Sequence, residues 1–193
     1  MKKRVARMKD KNLAKWEIWG AVYIIVLGTL LHFAFAWSGK NLFVAPFAAV
    51  NESVWEHLKL VFWPALLFAL VEFNFLRKKL ALKEKENFWI AKSLAIPMAM
   101  IFIIGSFYLY TAFIPDNLFM DILIFILAVV LGQIVSYNLI VKPEWKNPNA
   151  KFLNALALRA LAMIALCFVL FSFNPPRIFL FQDVSGIFGI LNV

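Results

Sequence analysis

The chain has 193 residues, of which 63% are apolar or aromatic and 16% are charged. An ordinary soluble domain has about 45–50% apolar and about 25% charged residues, so a soluble enzyme is excluded. The 20 Lys and Arg exceed the 11 Asp and Glu, which gives a net charge of +9 and calls for an anionic partner.

Five apolar segments follow one another along the chain, each long enough to cross a hydrocarbon core of about 30 Å as a helix. They are residues 18–37, 58–76, 88–114, 118–141 and 152–173. Helices are expected because an open strand edge cannot persist in lipid. The predicted fold is an all-α, polytopic transmembrane helix bundle that forms a single membrane domain over residues 1–193.

The basic residues predict the orientation of this bundle. They concentrate in an arm over residues 1–16, in the loop after the second span and in the loop after the fourth: Lys2, Lys3, Arg4, Arg7, Lys9, Lys11, Lys15, Arg77, Lys78, Lys79, Lys83, Lys85, Lys142, Lys146 and Lys151. The other side has Lys40, Lys59 and Arg177. Since Lys and Arg favour cytoplasmic loops, we expect an N-in, C-out chain. Anionic lipid headgroups on the cytoplasmic side, and not nucleic acid, are the expected partner.

The last segment, residues 174–193, is then an extracytoplasmic tail. Its apolar part, residues 178–193, is too short to span the membrane at 1.5 Å per residue. We expect it to lie on the outer face or to re-enter the bundle.

Polar residues gather near the predicted outer end of the spans, where buried charge usually marks function. They include both histidines of the chain: His32, Asn51, Glu52, Ser53, Glu56, His57, Asp116, Asp121 and Asp183. Histidines and carboxylates at one depth can ligate a divalent cation such as zinc. We predict His32, His57, Asp121 and Asp183 as metal ligands. Glu52 and Glu56 are predicted catalytic carboxylates, one of which would activate a metal-bound water.

The same run also has a structural interpretation. Ser53-Val54-Trp55-Glu56 has the form of a capping box, in which Ser and Glu side chains satisfy free backbone donors at a helix start. Asn51 and Ser53 are therefore predicted caps.

A second polar group lies at the predicted inner end. Glu72, Gln133 and Arg159 form either a structural network or a transport path, with Glu72 or the polar face of the fourth span as the partner of Arg159. Lys59 and Lys92 are expected to snorkel towards water.

The motif Asn51-Glu52-Ser53-Val54-Trp55-Glu56-His57 resembles the Asn-Glu-Ser-x-Trp-Glu-His signature of a family of small bacterial and archaeal integral-membrane proteins of unknown function. Leu31-His32-Phe33 and Phe181-Gln182-Asp183 add to the resemblance. The tail departs from the family pattern, because Val184 stands where a proline is expected. The resemblance implies a multi-pass protein of the prokaryotic plasma membrane and marks His32, the signature and Asp183.

Three functions remain open at this point. The first is a metal-binding or metal-dependent, hydrolase-like site in an outward-facing pocket. The second is a small transporter or channel with a polar path through the second, fourth and fifth spans. The third is a non-catalytic membrane subunit, whose protein partners the sequence does not reveal.

Overall fold

A computed structural model describes residues 2–141 and 149–190, with side chains at all of these positions except 2–10 and 83. Within those residues the chain forms five α-helices: α1 (Lys2–Trp37), α2 (Val54–Leu76), α3 (Leu82–Thr111), α4 (Leu118–Val141) and α5 (Ala150–Phe173). A single turn of 3₁₀ helix follows at Phe179–Phe181.

All five helices are long and apolar enough to cross a membrane, which confirms the predicted all-α bundle and fits a multi-pass membrane protein. Several boundaries differ from the prediction. α2 begins at Val54 and α3 at Leu82, each several residues before its apolar run, and α1 already begins at Lys2 inside the predicted basic arm. The predicted bounds follow the apolar residues, whereas the first turns of these helices are polar and were therefore left out. Lys142 and Lys146 lie outside the described residues.

The helices pack around one central apolar core. α3 packs most extensively, against α4, α5 and α2, while α1 packs against α2 and α4. The approach of α1 to α2 is close at Gly28, where an added Cβ would collide with the backbone carbonyl of Leu60. Many outward-facing side chains are large and apolar, as lipid-facing surfaces require.

Lys59 holds the outer end of the bundle together. Its side chain is fully buried, and its ammonium donates to the Glu56 carboxylate, to Ser172 Oγ on α5 and to the carbonyls of Ala45 and Ala48. One group thus joins α2, α5 and the loop between α1 and α2. The prediction that Lys59 snorkels is wrong, because acceptors inside the protein replace water.

Lys92 has the corresponding role at the other end. Its side chain is 3% exposed, and its ammonium lies 3.0 Å from both carboxylate oxygens of Glu17 on α1 and 2.7 Å from Glu72 Oε2 on α2. The prediction that Lys92 snorkels is wrong for the same reason. This group joins α1, α2 and α3.

Replacing Lys59 by Met should destabilise the protein strongly. The change leaves the buried Glu56 carboxylate without its counter-ion, and breaking such a pair typically costs about 3–5 kcal/mol. The free energy of unfolding in mixed detergent micelles measures the effect.

Two variants serve as controls for this prediction. Lys78→Met changes an exposed lysine and should alter stability by no more than about 0.5 kcal/mol. Adding Glu56→Gln to Lys59→Met removes the uncompensated charge, so the double variant should recover much of the loss. Equal stability of Lys59→Met and Lys78→Met would contradict the role assigned to Lys59.

Candidate functional site: a histidine and carboxylate group at the start of α2

The start of α2 is built by two polar side chains. Asn51 Oδ1 accepts a hydrogen bond from the N–H of Ser53 at 3.0 Å, and Ser53 Oγ accepts one from the N–H of Glu56 at 3.4 Å. Ser53 is therefore the N-cap residue of α2. The reciprocal half of a capping box is replaced, since Asn51 and not Glu56 takes the Ser53 N–H.

Glu56 belongs to the Lys59 group. Its side chain is 2% exposed, and its carboxylate pairs with Lys59 and accepts a hydrogen bond from the N–H of Val50 at 3.1 Å. It therefore clamps the loop before α2 onto the first turn of the helix. Glu56 was predicted as a catalytic carboxylate, but the contacts it makes are structural.

His57 and Glu52 face one another at the surface of this end. His57 Nε2 lies 3.3 Å from Glu52 Oε2, and His57 Nδ1 lies 2.9 Å from the carbonyl of Ser53. The Ser53 carbonyl accepts a hydrogen bond from Nδ1–H, and the Glu52 carboxylate accepts one from Nε2–H when the ring is protonated; loss of that second proton leaves a lone pair on Nε2 beside Glu52. The hydrogen bond with His57 holds the pKa of the Glu52 carboxyl below its ordinary value.

His32 reaches the same point from the end of α1. Its ring centroid lies 5.2 Å from that of His57, with 34° between the ring planes. Its Nδ1 is buried and has no hydrogen-bond partner among the described residues. His32, Glu52 and His57 each offer one ligand atom, and these three atoms lie within 4.8 Å of one another. We call these three residues the outer triad.

Asp121 and Asp183, the other predicted ligands, have partners of their own. Tyr110 Oη donates to Asp121 Oδ1 at 2.6 Å and also lies 2.8 Å from Asp116 Oδ1. Asp183 Oδ1 accepts from the N–H and the hydroxyl of Ser185 and from the N–H of Ile187. Burial raises the pKa of Asp183, but these hydrogen bonds outweigh it and leave that pKa below its ordinary value.

The tail docks beside the outer triad. Asn51 Nδ2 donates to the carbonyl of Gly189 at 3.4 Å, and the N–H of Ile190 donates to the carbonyl of Ser172 at 3.0 Å. The ring centroid of Trp55 lies 4.7 Å from the ring centroids of both Phe168 and Phe181. The loop before α2, the end of α5 and the tail therefore form one unit around the signature.

Of the predicted inner polar residues, Glu72 and Gln133 join the group around Lys92, whereas Arg159 lies apart from it. Glu72 pairs with Lys92, and Gln133 Nε2 donates to the backbone carbonyl of Glu17 at 2.9 Å. Arg159 is exposed on α5, and Glu72, one of its two expected partners, pairs with Lys92. Glu17 is the member that the sequence analysis missed. Glu17 comes directly before the first predicted span, and Lys92 lies near the start of the third, at the same end of the bundle; this shared position was a signal that could have found Glu17.

The sequence profile of one protein family matches residues 5–190 of the chain, nearly its whole length. The chain belongs to DUF6512, a family of unknown function. Neither the curated proteins nor the solved structures include a significant match. Membership of DUF6512 agrees with the predicted lack of an assigned activity, while the signature as a family hallmark and the prokaryotic origin stay predictions.

Replacing Gly189 by Ala should release the tail from the bundle. Gly189 has a φ of +59°, and an added Cβ would lie 2.8 Å from the Ser172 carbonyl oxygen and 2.8 Å from Pro175 Cδ. A strain of about 1–3 kcal/mol should speed hydrogen exchange of the Ile190 amide at least about fivefold, as measured by mass spectrometry. In the control, Gly105→Ala, the added Cβ meets nothing within 4 Å, so the tail should exchange as in the wild type. Unchanged exchange in Gly189→Ala would contradict this docking.

Proposed function

We propose that this membrane protein binds a divalent cation, with zinc as the probe of choice, at the outer triad. The observation that carries the proposal is the convergence of two histidines and one carboxylate from three chain segments, with ligand atoms within 4.8 Å. The bond from His57 Nδ1 to a backbone carbonyl supports it, because metal-ligating histidines usually donate their second ring N–H in this way. The buried Nδ1 of His32, which has no hydrogen-bond partner among the residues that the structure describes, also supports it.

Three protein ligands leave a coordination position open, as in zinc sites that carry a water or a substrate. Such a metal supplies Lewis acidity and can acidify a bound water, which is the basis of a hydrolase-like role. We propose binding and no hydrolytic step, because the carboxylates that could act as a base have other partners. Glu56 pairs with Lys59, Asp121 accepts from Tyr110, and Asp183 accepts from Ser185 in its own turn.

The packing gives less support to the transporter alternative. A cavity of about 10 Å³ adjoins Lys92 and Gln133, and its other lining residues are apolar or glycine: Ile24, Val61, Ala65, Ala95, Ile96, Ala99, Val129 and Gly132. This volume is at the lower limit for one water molecule. We therefore favour metal binding over a polar path through the bundle, and over a non-catalytic subunit, for which the structure offers no specific support in its described residues.

Calorimetric titration of zinc into chelator-treated protein in lipid nanodiscs tests the proposal. We expect about one zinc per chain and a rise in the thermal unfolding midpoint on binding. His32→Ala, His57→Ala and Glu52→Gln each remove a ligand and should weaken binding at least about tenfold.

Asp116→Asn is the matched control, because it changes an acid at the same end of the bundle that is not part of the outer triad. It should bind zinc like the wild type. Wild-type protein that binds no zinc, or triad variants that bind it undiminished, would refute the proposal.

We also propose the N-in, C-out orientation, which turns the outer triad away from the cytoplasm, in the plasma membrane of a prokaryote. The distribution of bases in the loops supports the orientation. The burial of Lys59 strengthens this reasoning, because a lysine held inside the bundle does not act as a loop charge.

Cysteine labelling in intact cells tests the orientation. In a Cys167→Ser background, Ser38→Cys and Lys78→Cys place a thiol at exposed positions at opposite ends of the bundle. A membrane-impermeant maleimide should label Ser38→Cys in intact cells, and Lys78→Cys only after the membrane is opened. The reverse pattern would show that the orientation is inverted.

A further inference from the structure

The ion group at the other end of the bundle does not balance its charge. Two carboxylates, Glu17 and Glu72, face one ammonium, Lys92, and leave a formal charge of −1. None of the three side chains is more than 4% exposed. An uncompensated charge buried in a membrane-spanning bundle is costly and is normally neutralised.

The two carboxylates are not equivalent. Both oxygens of Glu17 lie 3.0 Å from Lys92 Nζ, and Oε1 also accepts from Ser136 Oγ at 2.7 Å. Glu72 has only the contact of Oε2 with Lys92, and its Oε1 is buried with no hydrogen-bond partner in the described part of the chain. Protein donors therefore stabilise Glu17 as an anion. Glu72 has fewer donors and is the less stabilised of the two carboxylates.

The geometry favours a proton over a metal ion as the neutralising species. A metal cation needs several oxygen ligands around it, but the ammonium of Lys92 already occupies the position between the two carboxylates. A proton needs one oxygen, and Glu72 Oε1 is available.

We infer that Glu17, Lys92 and Glu72 form a proton-binding site, in which Glu72 carries one proton as a neutral carboxylic acid. One proton passes from hydronium to Glu72 and leaves a water molecule, which changes the formal charge of the group from −1 to zero. The charged groups that face Glu72 are Lys92 from α3 and Glu17 from α1; Ser136 and Gln133 from α4, both uncharged, bind Glu17. This site is independent of the outer triad.

Infrared difference spectroscopy of the protein in lipid nanodiscs tests the inference. Between neutral and alkaline pH, the wild type should lose a carboxylic-acid carbonyl band that shifts in heavy water, equivalent to about one proton per chain. Glu72→Gln should lack this band. Glu17→Gln should lack it too, because Lys92 then balances a single carboxylate. Asp116→Asn is the control, since Asp116 is an exposed carboxylate at the other end of the bundle, and the band should persist.

Several results would overturn the inference. They are a wild type without the band, a band that survives Glu72→Gln, and a band that survives Glu17→Gln. Glu72→Gln mimics the protonated carboxyl, so its failure to fold would also contradict the inference. The protein could also prove more stable in sodium salt than in choline salt, with Glu72→Gln abolishing the difference. That result would assign a metal cation to the site in place of a proton.

Discussion

The arrangement of the outer end depends on the burial of one ammonium group, that of Lys59. An ammonium that is removed from water must find acceptors for its three protons, and here Glu56, Ser172 and two loop carbonyls supply them. Two of those acceptors lie in the loop between α1 and α2, so the loop folds over the lysine. Glu56 then holds Val50 at the end of that loop, which sets the point from which Glu52 extends towards His57.

The two ion groups differ in their balance of charge. The Lys59 group pairs one ammonium with one carboxylate and adds neutral acceptors, so it resembles a structural connection. The Lys92 group has one carboxylate in excess. Between them lies a packed apolar core that includes Val61, Phe62 and Ala99. The two buried ion groups therefore lie towards opposite ends of the bundle, with apolar side chains packed between them.

The helices could be predicted from hydropathy because lipid demands long apolar runs, whatever the details of packing. The partners of the buried lysines could not. From the sequence alone, a long lysine stem reaches water or an internal carboxylate equally well, and only the packing of α1, α2 and α3 brings Glu17 and Glu72 to Lys92. Glu72, one of the two partners expected for Arg159, pairs with Lys92 instead, for the same reason. The Ser53 cap starts α2 at Val54 and leaves Glu52 in the loop, so the two predicted catalytic carboxylates, Glu52 and Glu56, lie in different settings.

The signature shows why site residues are hard to separate from structural ones in a short motif. Four of its polar and aromatic side chains build the local structure: Asn51 binds the tail, Ser53 caps α2, Trp55 packs against α5 and the tail, and Glu56 holds Lys59. Glu52 and His57 are the two that face His32. Their positions depend on these four residues. The Ser53 cap fixes where α2 begins and so which way His57 points, and the contacts of Glu56 with Lys59 and Val50 fix the path of the loop that carries Glu52. The contacts that build the start of α2 therefore also place Glu52 and His57 beside His32, and the proposed metal site depends on them.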